Sequence, residues 1–207
     1  MSDLGCTSDF ILLRGAGREL RFRRAVLTFE AREVTDPIWS RKNNKTLGET
    51  LAHRRYSKIA PLCSGYESEF GEPLGLFLLR LQRNGSGLYQ HFLNADGDST
   101  FSDFKLSDSS LGRLRGLYLY RLEREVVYVG RCLDSFAKRI NQGYGQIHPK
   151  NCYIDGQRTN CRLNALVTAN RGNVEFFACP LDRADEITAF ERDLLRALRP
   201  SWNKQLA

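Results

Sequence analysis

Residues 116–139 read GLYLYRLEREVVYVGRCLDSFAKR, and their reading decides how the rest of the chain is interpreted. Gly116 to Tyr120 and Val126 to Gly130 are apolar and aromatic runs joined by the charged segment Leu122 to Glu125, which predicts two strands and a reversal. Asp134 or Ser135 then stands where a helix N-cap is expected, and Phe136 and Ile140, four apart, predict that helix's buried face. Arg139 falls at the edge of this face, where a guanidinium can snorkel to water or turn its donor fork toward a pocket on the sheet. Tyr118 and Tyr128 are ten positions apart, so they share a sheet face only if the reversal holds an odd number of residues, such as Leu122 to Arg124.

Downstream, a glycine-rich polar excursion over 143–158 precedes a helix predicted from about Thr159 to Asn170, with Leu163, Leu166 and Val167 inward. A strand from Val174 to Cys179 and a helix from about Asp185 to Leu198, stopped by Pro200, complete the order β-β-α-α-β-α. In the final helix Ile187, Leu194, Leu195 and Leu198 form a stripe, and Glu191 lies on it. A carboxylate there either reaches water at the stripe's edge or is held by a cation or several donors, because burying it uncompensated is costly. The excursion also holds Lys150, Gln157, Arg158, Asn160 and Arg162, side chains suited to phosphates or base edges. Its His148, Cys152 and Cys161, with Cys132 or Cys179, offer a zinc alternative, although their spacing is not that of a usual finger.

Upstream, DFILLR (9–14) predicts a strand ending at Gly15-Ala16-Gly17, and RELRFRRAVLTFEA (18–31) fits strand or helix, with Leu20, Phe22, Val26 and Phe29 toward a core. The segment from Asp36-Pro37 to Lys45 is loop-like. Thr46-Leu47-Gly48-Glu49 has the spacing of a capping box, and a helix over 46–59 would bury Leu47, Leu51 and Ile59 while leaving Arg54, Arg55 and Lys58 outside. That basic face suits a DNA groove or plain solvation. Residues 74–94 are expected to form a hairpin about the turn signal RNGSG at 83–87. DGDST at 96–100 lacks the glycine and glutamate of a calcium loop, and the polar run from Asp103 to Leu114 is the expected linker.

The whole chain bounds these readings. With 207 residues, 42% hydrophobic and 27% charged, it can bury a core without metals or cross-links. No apolar run is long enough for a membrane helix, no secretion signal opens the chain, and six scattered cysteines without C-x-x-C pairs suit free thiols, so a cytoplasmic protein is expected. The net charge of +7 is unevenly placed: residues 14–58 carry 12 Lys/Arg against 5 Asp/Glu, residues 111–207 carry 16 against 10, and the middle is acidic. Two basic blocks suit a polyanionic partner or a solvated surface.

Taken together, residues 113–205 resemble the GIY-YIG nucleases. Gly116-Leu117-Tyr118 stands for GIY and Tyr128-Val129-Gly130 for YIG; Arg139 in DSFAKR, Glu191 in ITAFERDLL and Asn203 in PSWN match the family's arginine, glutamate and late asparagine. The resemblance implies an α+β fold with a small antiparallel three-stranded sheet flanked by helices in a nuclease domain over 111–207. Residues 1–110 then form a basic N-terminal region of mixed α/β structure that positions DNA. The implied activity is metal-dependent hydrolysis of double-stranded DNA, an endonuclease with Mg²⁺ (or Mn²⁺) on Glu191 and Arg139 stabilising the transition state. Tyr118 would activate water as a tyrosinate or through a relay, Tyr128 would position phosphate or water, and Asn203 would orient the site. Tyr144 or His148 would be the helper that the family places one turn after its arginine. Arg54, Arg55, Lys58, Lys150, Arg158 and Arg162 are the expected DNA contacts. A restriction or defence enzyme, possible as a homodimer if its cut is staggered and palindromic, is the expected role; a repair or structure-specific nuclease and an inactive nucleic-acid-binding protein are the alternatives.

Overall fold

The computed structural model describes residues 9–15, 17–34 and 38–204; Cys6, Ala16 and Asp36-Pro37 lie outside them. Its strands are β1 (Phe10–Gly15), β2 (Arg18–Ala25), β3 (Leu27–Ala31), β4 (Asp103–Leu106), β5 (Gly116–Leu122), β6 (Glu125–Cys132) and β7 (Val174–Pro180). Its helices are α1 (Leu47–Leu51), α2 (Leu74–Arg83), α3 (Ser109–Gly112), α4 (Phe136–Arg139), α5 (Pro149–Cys152), α6 (Arg158–Ala169) and α7 (Ala184–Leu198), with 3₁₀ turns between them. The class is α+β, and from β5 to α7 the predicted order β-β-α-α-β-α appears with one short helix, α5, added before α6.

The principal sheet is antiparallel and has five strands in the order β1-β2-β7-β5-β6, not three; β3 and β4 form a separate pair. The three expected strands are its β7-β5-β6 portion. Two more join because Arg23, Arg24 and Ala25 of β2 pair with Ala178, Phe177 and Phe176 of β7. Residues 18–25 are a strand rather than a helix, as buried Leu20 and Phe22 alternate with exposed Glu19, Arg21 and Arg23. Val26 is not inward: it sits between β2 and β3 and is 66% exposed.

The reversal between β5 and β6 has two residues, Glu123 and Arg124, with Leu122 paired to Glu125. Glu123 takes a φ of 54°, a conformation that favours glycine. By the parity argument a two-residue reversal separates Tyr118 from Tyr128, but a bulge intervenes. Tyr120 pairs with Tyr128 while Arg121 pairs with Val126, so Val127 is an extra residue in β6 and the parity is restored.

The alternation gives the sheet two unlike faces. Leu20, Phe22, Leu117, Leu119, Val129, Phe177 and Cys179 pack with Ile187, Phe190 and Leu194 of α7 in an aliphatic and phenylalanine core. The opposite face carries Tyr118, Tyr120, Tyr128, Gly130, Phe176 and Ala178.

The described residues form two compact units that do not divide at residue 110. One comprises the residues up to Glu30, Phe104–Gly145 and those from Asn170 on; the other comprises Ala31–Asp103 and Gln146–Ala169. The expected linker at 103–114 contains β4 and α3, because Asp108 caps α3 by accepting from Ser110 and Leu111 amides.

In the second unit the Thr46 capping box forms, but its helix ends at Leu51 and irregular 3₁₀ turns follow, so no continuous basic helix exists over 46–59. Residues 74–94 are a helix and a 3₁₀ segment instead of a hairpin. Leu74, Phe77, Leu78 and Leu81 recur at helical spacing and all are buried, which outweighs the turn signal after them. Gly75 allows close packing there, since a Cβ would meet the Trp39 carbonyl oxygen at 2.0 Å. Buried Asn164 accepts from Ser102 N and donates to its carbonyl, tying α6 to the segment before β4.

Candidate functional site

The tyrosine face is built on one glycine. A Cβ at Gly130 would lie 2.5 Å from Tyr118 Cζ and 2.7 Å from Tyr128 Cε1, so the two rings occupy the space that any side chain would need. Their centroids are 5.9 Å apart, and Tyr120, Phe176 and Trp202 extend the aromatic cluster. Tyr118, Tyr120 and Tyr144 are fully buried, while Tyr128 retains a small exposed fraction.

Above these rings, Ser135 caps α4 by accepting from Lys138 N, and Phe136 and Ile140 anchor the helix as predicted. The chain then makes a π-helical turn, Ile140–Tyr144, closed by Gly145 N donating to Ile140 O. This turn answers the irregular spacing between Arg139 and Tyr144. Residues five apart align on a π turn, whereas an α-helix would carry them apart. Arg139 Nε donates to the Tyr118 hydroxyl at 3.2 Å, and its guanidinium lies 5.4 Å from the Tyr144 ring centre. The Tyr144 ring stacks on Tyr118, and its hydroxyl shares a 2.8 Å hydrogen bond with that of Tyr120.

Burial holds the Tyr118 phenol well above the ordinary tyrosine value, reinforced by Tyr144 and Tyr128 and opposed by Arg139. Tyr120 and Tyr144 are pushed up by burial in the same way. Burial thus favours the neutral phenol at Tyr118, Tyr120 and Tyr144.

Glu191 comes from the other side of the sheet. Its α7 packs on the aliphatic face, and Oε2 pairs at 3.2 Å with Arg131, a β6 residue pointing to that face opposite Leu117. With 19% side-chain exposure, burial raises its carboxyl above the ordinary value, while Arg131 and Arg139 pull it down. Arg139 thus hydrogen-bonds to Tyr118 on one face, while Arg131 holds Glu191 on the other.

Asn203 completes that edge. Helix α7 ends with Arg199 in the left-handed region, and Trp202 N donates to Val127 O at 2.8 Å. The Asn203 amide accepts from Val129 N at 2.9 Å and donates to Val129 O at 2.8 Å, as a neighbouring strand would. It orients β6 by backbone pairing.

No protein-family model, curated protein or solved structure matches this chain. The site accordingly rests on its own geometry.

Tyr118, Tyr128, Arg139, Tyr144, Glu191 and Asn203 all belong to the first unit, and contacts join Tyr118, Tyr128, Arg139 and Tyr144 directly. His148 belongs to the second unit, where its Nδ1 accepts from Lys150 N and caps α5. Arg54, Arg55, Lys58 and Lys150 are exposed there. Arg158 is paired with Asp96 but its side chain stays partly exposed, Asn160 is buried and donates to Gln157, and Arg162 is half-buried with its Nε enclosed. The zinc alternative fails, since no group of three or more His, Cys, Asp or Glu side chains among the described residues could hold a metal ion. Cys152 and Cys161 lie together, Sγ atoms 3.7 Å apart, as buried thiols.

Tyr120, Arg131 and Trp202 join the site without having been singled out from sequence. Tyr120 was legible in principle, two positions from Tyr118 on the same strand. Arg131 was not, because its role depends on where α7 packs.

Proposed function

We propose that this protein is a metal-dependent endonuclease that hydrolyses DNA phosphodiester bonds, as its likeness to the GIY-YIG nucleases implies. The observation that supports the reading is the Arg139 to Tyr118 hydrogen bond on one face of the sheet, with Glu191 held by Arg131 of the same edge strand on the other. A structural ion pair needs no tyrosine hydroxyl, and a structural tyrosine cluster needs no half-buried guanidinium. Together they suit a phosphate that gains charge.

A single carboxylate is a sparse ligand set, but it fits Mg²⁺ or Mn²⁺, which bind through one or two carboxylates with water and phosphate oxygens filling the remaining positions. Glu191 would hold the ion, with Arg131 as the cation it exchanges. When bound, the metal supplies charge neutralisation at the scissile phosphate and the leaving oxygen.

The chain's own residues do the rest. Arg139 donates to the phosphate oxygens as negative charge accumulates, and its fixed position over Tyr144 limits reorganisation. The Tyr118 hydroxyl accepts from Arg139 and keeps its own proton, so as a relay it would take a proton from the attacking water while giving its own to a phosphate oxygen, and no stable tyrosinate would form. Tyr128, the least buried of the four phenols, positions the phosphate or the water. Tyr144 and Tyr120 brace the cluster through their shared hydrogen bond, and Asn203 fixes the height of β6. Restriction or defence is the role we favour by architecture alone.

A second reading, a nucleic-acid-binding protein that does not cut, is favoured by one observation: Tyr118 is fully buried, so its hydroxyl is closed to solvent in this conformation. Purified protein with Mg²⁺ or Mn²⁺ and supercoiled plasmid separates the two. Nicking or linearisation is expected, and Glu191→Ala should reduce it by at least about 100-fold while leaving duplex affinity within a few-fold. Intact plasmid from modified and unmodified sources with both metals, alongside normal binding, would establish the second reading.

A further inference from the structure

Beyond the cluster, the tyrosine face of the sheet continues onto β1 and β2, and there it is open. The register places Arg23 opposite Ala178, which lies opposite Tyr118, so Arg23 shares a face and a cross-sheet row with the candidate site. On the same face stand Arg21, two positions back on β2, and Phe10, Leu12 and Arg14 of β1. All five are exposed, Phe10 by 39% and Leu12 by 46%.

The charges on this surface are uncommitted. Arg24, which points to the other face, is paired with Glu175, and Arg18 with Glu186. Among the described residues, Arg14, Arg21 and Arg23 form no ion pair. The acidic groups nearby are Glu19, opposite Arg14 in the register, and Asp108, which feels Arg23 but is occupied in capping α3. The Arg21 guanidinium carbon lies 4.3 Å from the centre of the Phe10 ring. A cation–π contact of this kind uses none of the guanidinium's N–H donors, which stay available to a phosphate.

We propose that this arginine-bearing extension of the sheet, β1 and β2, is the surface that holds the phosphate backbone of duplex DNA for the proposed nuclease site. The proposal deepens that reading, since it assigns substrate grip to the hairpin. Charge decides the occupant. Three unpaired arginines on one open face repel a second copy of themselves and attract a polyanion. Distance agrees. Adjacent strands are about 4.8 Å apart, so Arg23 stands about 10 Å from the Tyr118 backbone, or roughly three base steps of 3.4 Å along one DNA strand. One bound duplex can reach both. The exposed Phe10 and Leu12 supply an apolar floor that excludes water beneath the contacts.

The test is metal-free binding of a short fluorescent duplex across a salt series, with the full-length protein and the triple variant Arg14→Gln, Arg21→Gln, Arg23→Gln. Because each lost phosphate contact lowers the slope of log affinity against log salt by about 1, the triple variant should lose about 3 in slope and bind at least about tenfold more weakly at low salt, equally for unrelated sequences. The single charge reversal Arg21→Glu should weaken binding further than Arg21→Gln, which keeps the test informative if the triple variant folds poorly. Unchanged affinity and slope in both variants overturn the proposal, even if plasmid cleavage succeeds. Normal slopes with a monomer-to-dimer equilibrium altered by Phe10→Ser would also overturn it, assigning the face to protein contact. Loss of slope in the triple variant, alongside a wild-type protein that never cuts, would uphold the surface and reject the nuclease reading.

Discussion

The two faces of the five-stranded sheet use the same strands for opposite ends. On one, Leu117, Leu119, Val129 and Phe177 meet α7 through side chains with no hydrogen-bonding groups, and their burial contributes about 1.5–3 kcal/mol for each large residue. On the other, Tyr118, Tyr120 and Tyr128 alternate with those same residues and gather four hydroxyls around one guanidinium with α4 and the π turn. The first face is tolerant in chemistry and strict in volume. The second is strict in chemistry, because each phenol buried there needs a partner and each charge needs an answer. Stability and candidate chemistry are thus separated by a pleat about one residue deep.

The sharpest way to break this comparison is to remove volume from the aliphatic face. Phe190→Ala should cost about 3–5 kcal/mol in urea unfolding, the largest effect expected of any single change here, and a loss below about 1 kcal/mol would mean that α7 does not anchor the sheet. Adding volume to the tyrosine face comes next. Gly130→Ala forces a Cβ against Tyr118 and Tyr128 and should cost about 1–3 kcal/mol, with a changed tyrosine near-ultraviolet dichroism. An unchanged spectrum would show that the rings have room to move.

A smaller effect concerns chemistry at nearly constant volume. Tyr120→Phe and Tyr144→Phe each remove the hydrogen bond that these two buried hydroxyls share and should each cost about 1–2 kcal/mol. The double variant removes both groups, so it should cost less than the sum by about 1 kcal/mol in a double-mutant cycle. Strict additivity would show that the two hydroxyls act independently.

Smallest of all is Glu191→Gln. Burial raises the folded-state carboxyl above its unfolded value, so the fold favours the protonated form. That preference stabilises fully below the unfolded pKa and is lost as pH rises through the folded one. At neutral pH the variant should therefore match or exceed the wild type by less than about 1 kcal/mol, with its relative advantage growing from pH 4 to pH 7, while plasmid cleavage disappears. A thermal melt across that range checks the sign. A variant markedly less stable at neutral pH would make the Arg131 pair a structural one.

Legibility followed locality. Thr46 caps α1 and Ser135 caps α4 through residues three positions away, and the inward stripe of α7 repeats within a few turns. Such signals stand in the text because the interacting groups are close in sequence. In the segment at 74–94 two local signals compete, the turn signal at 83–87 and a helical period over Leu74 to Leu81, and burial of the helical face decides for the helix. Site residues Tyr118, Tyr128, Arg139, Glu191 and Asn203 were legible as types in order. How they act was less so.

By itself, the sequence determined the alternating tyrosine strands, the cap and inward face of the helix after them, and a carboxylate on the final apolar stripe, all through periodicities of two and 3.6 residues. Only the tertiary structure decided that a bulge at Val127 sets the tyrosines on one face, that a π turn brings Tyr144 over Arg139, and that β2 extends the sheet. It also decided that Asn203 pairs with Val129, 74 positions away. The reason is physical: a backbone hydrogen bond or a buried charge is satisfied by whatever packing brings near, and cross-strand register depends on partners that no local window contains.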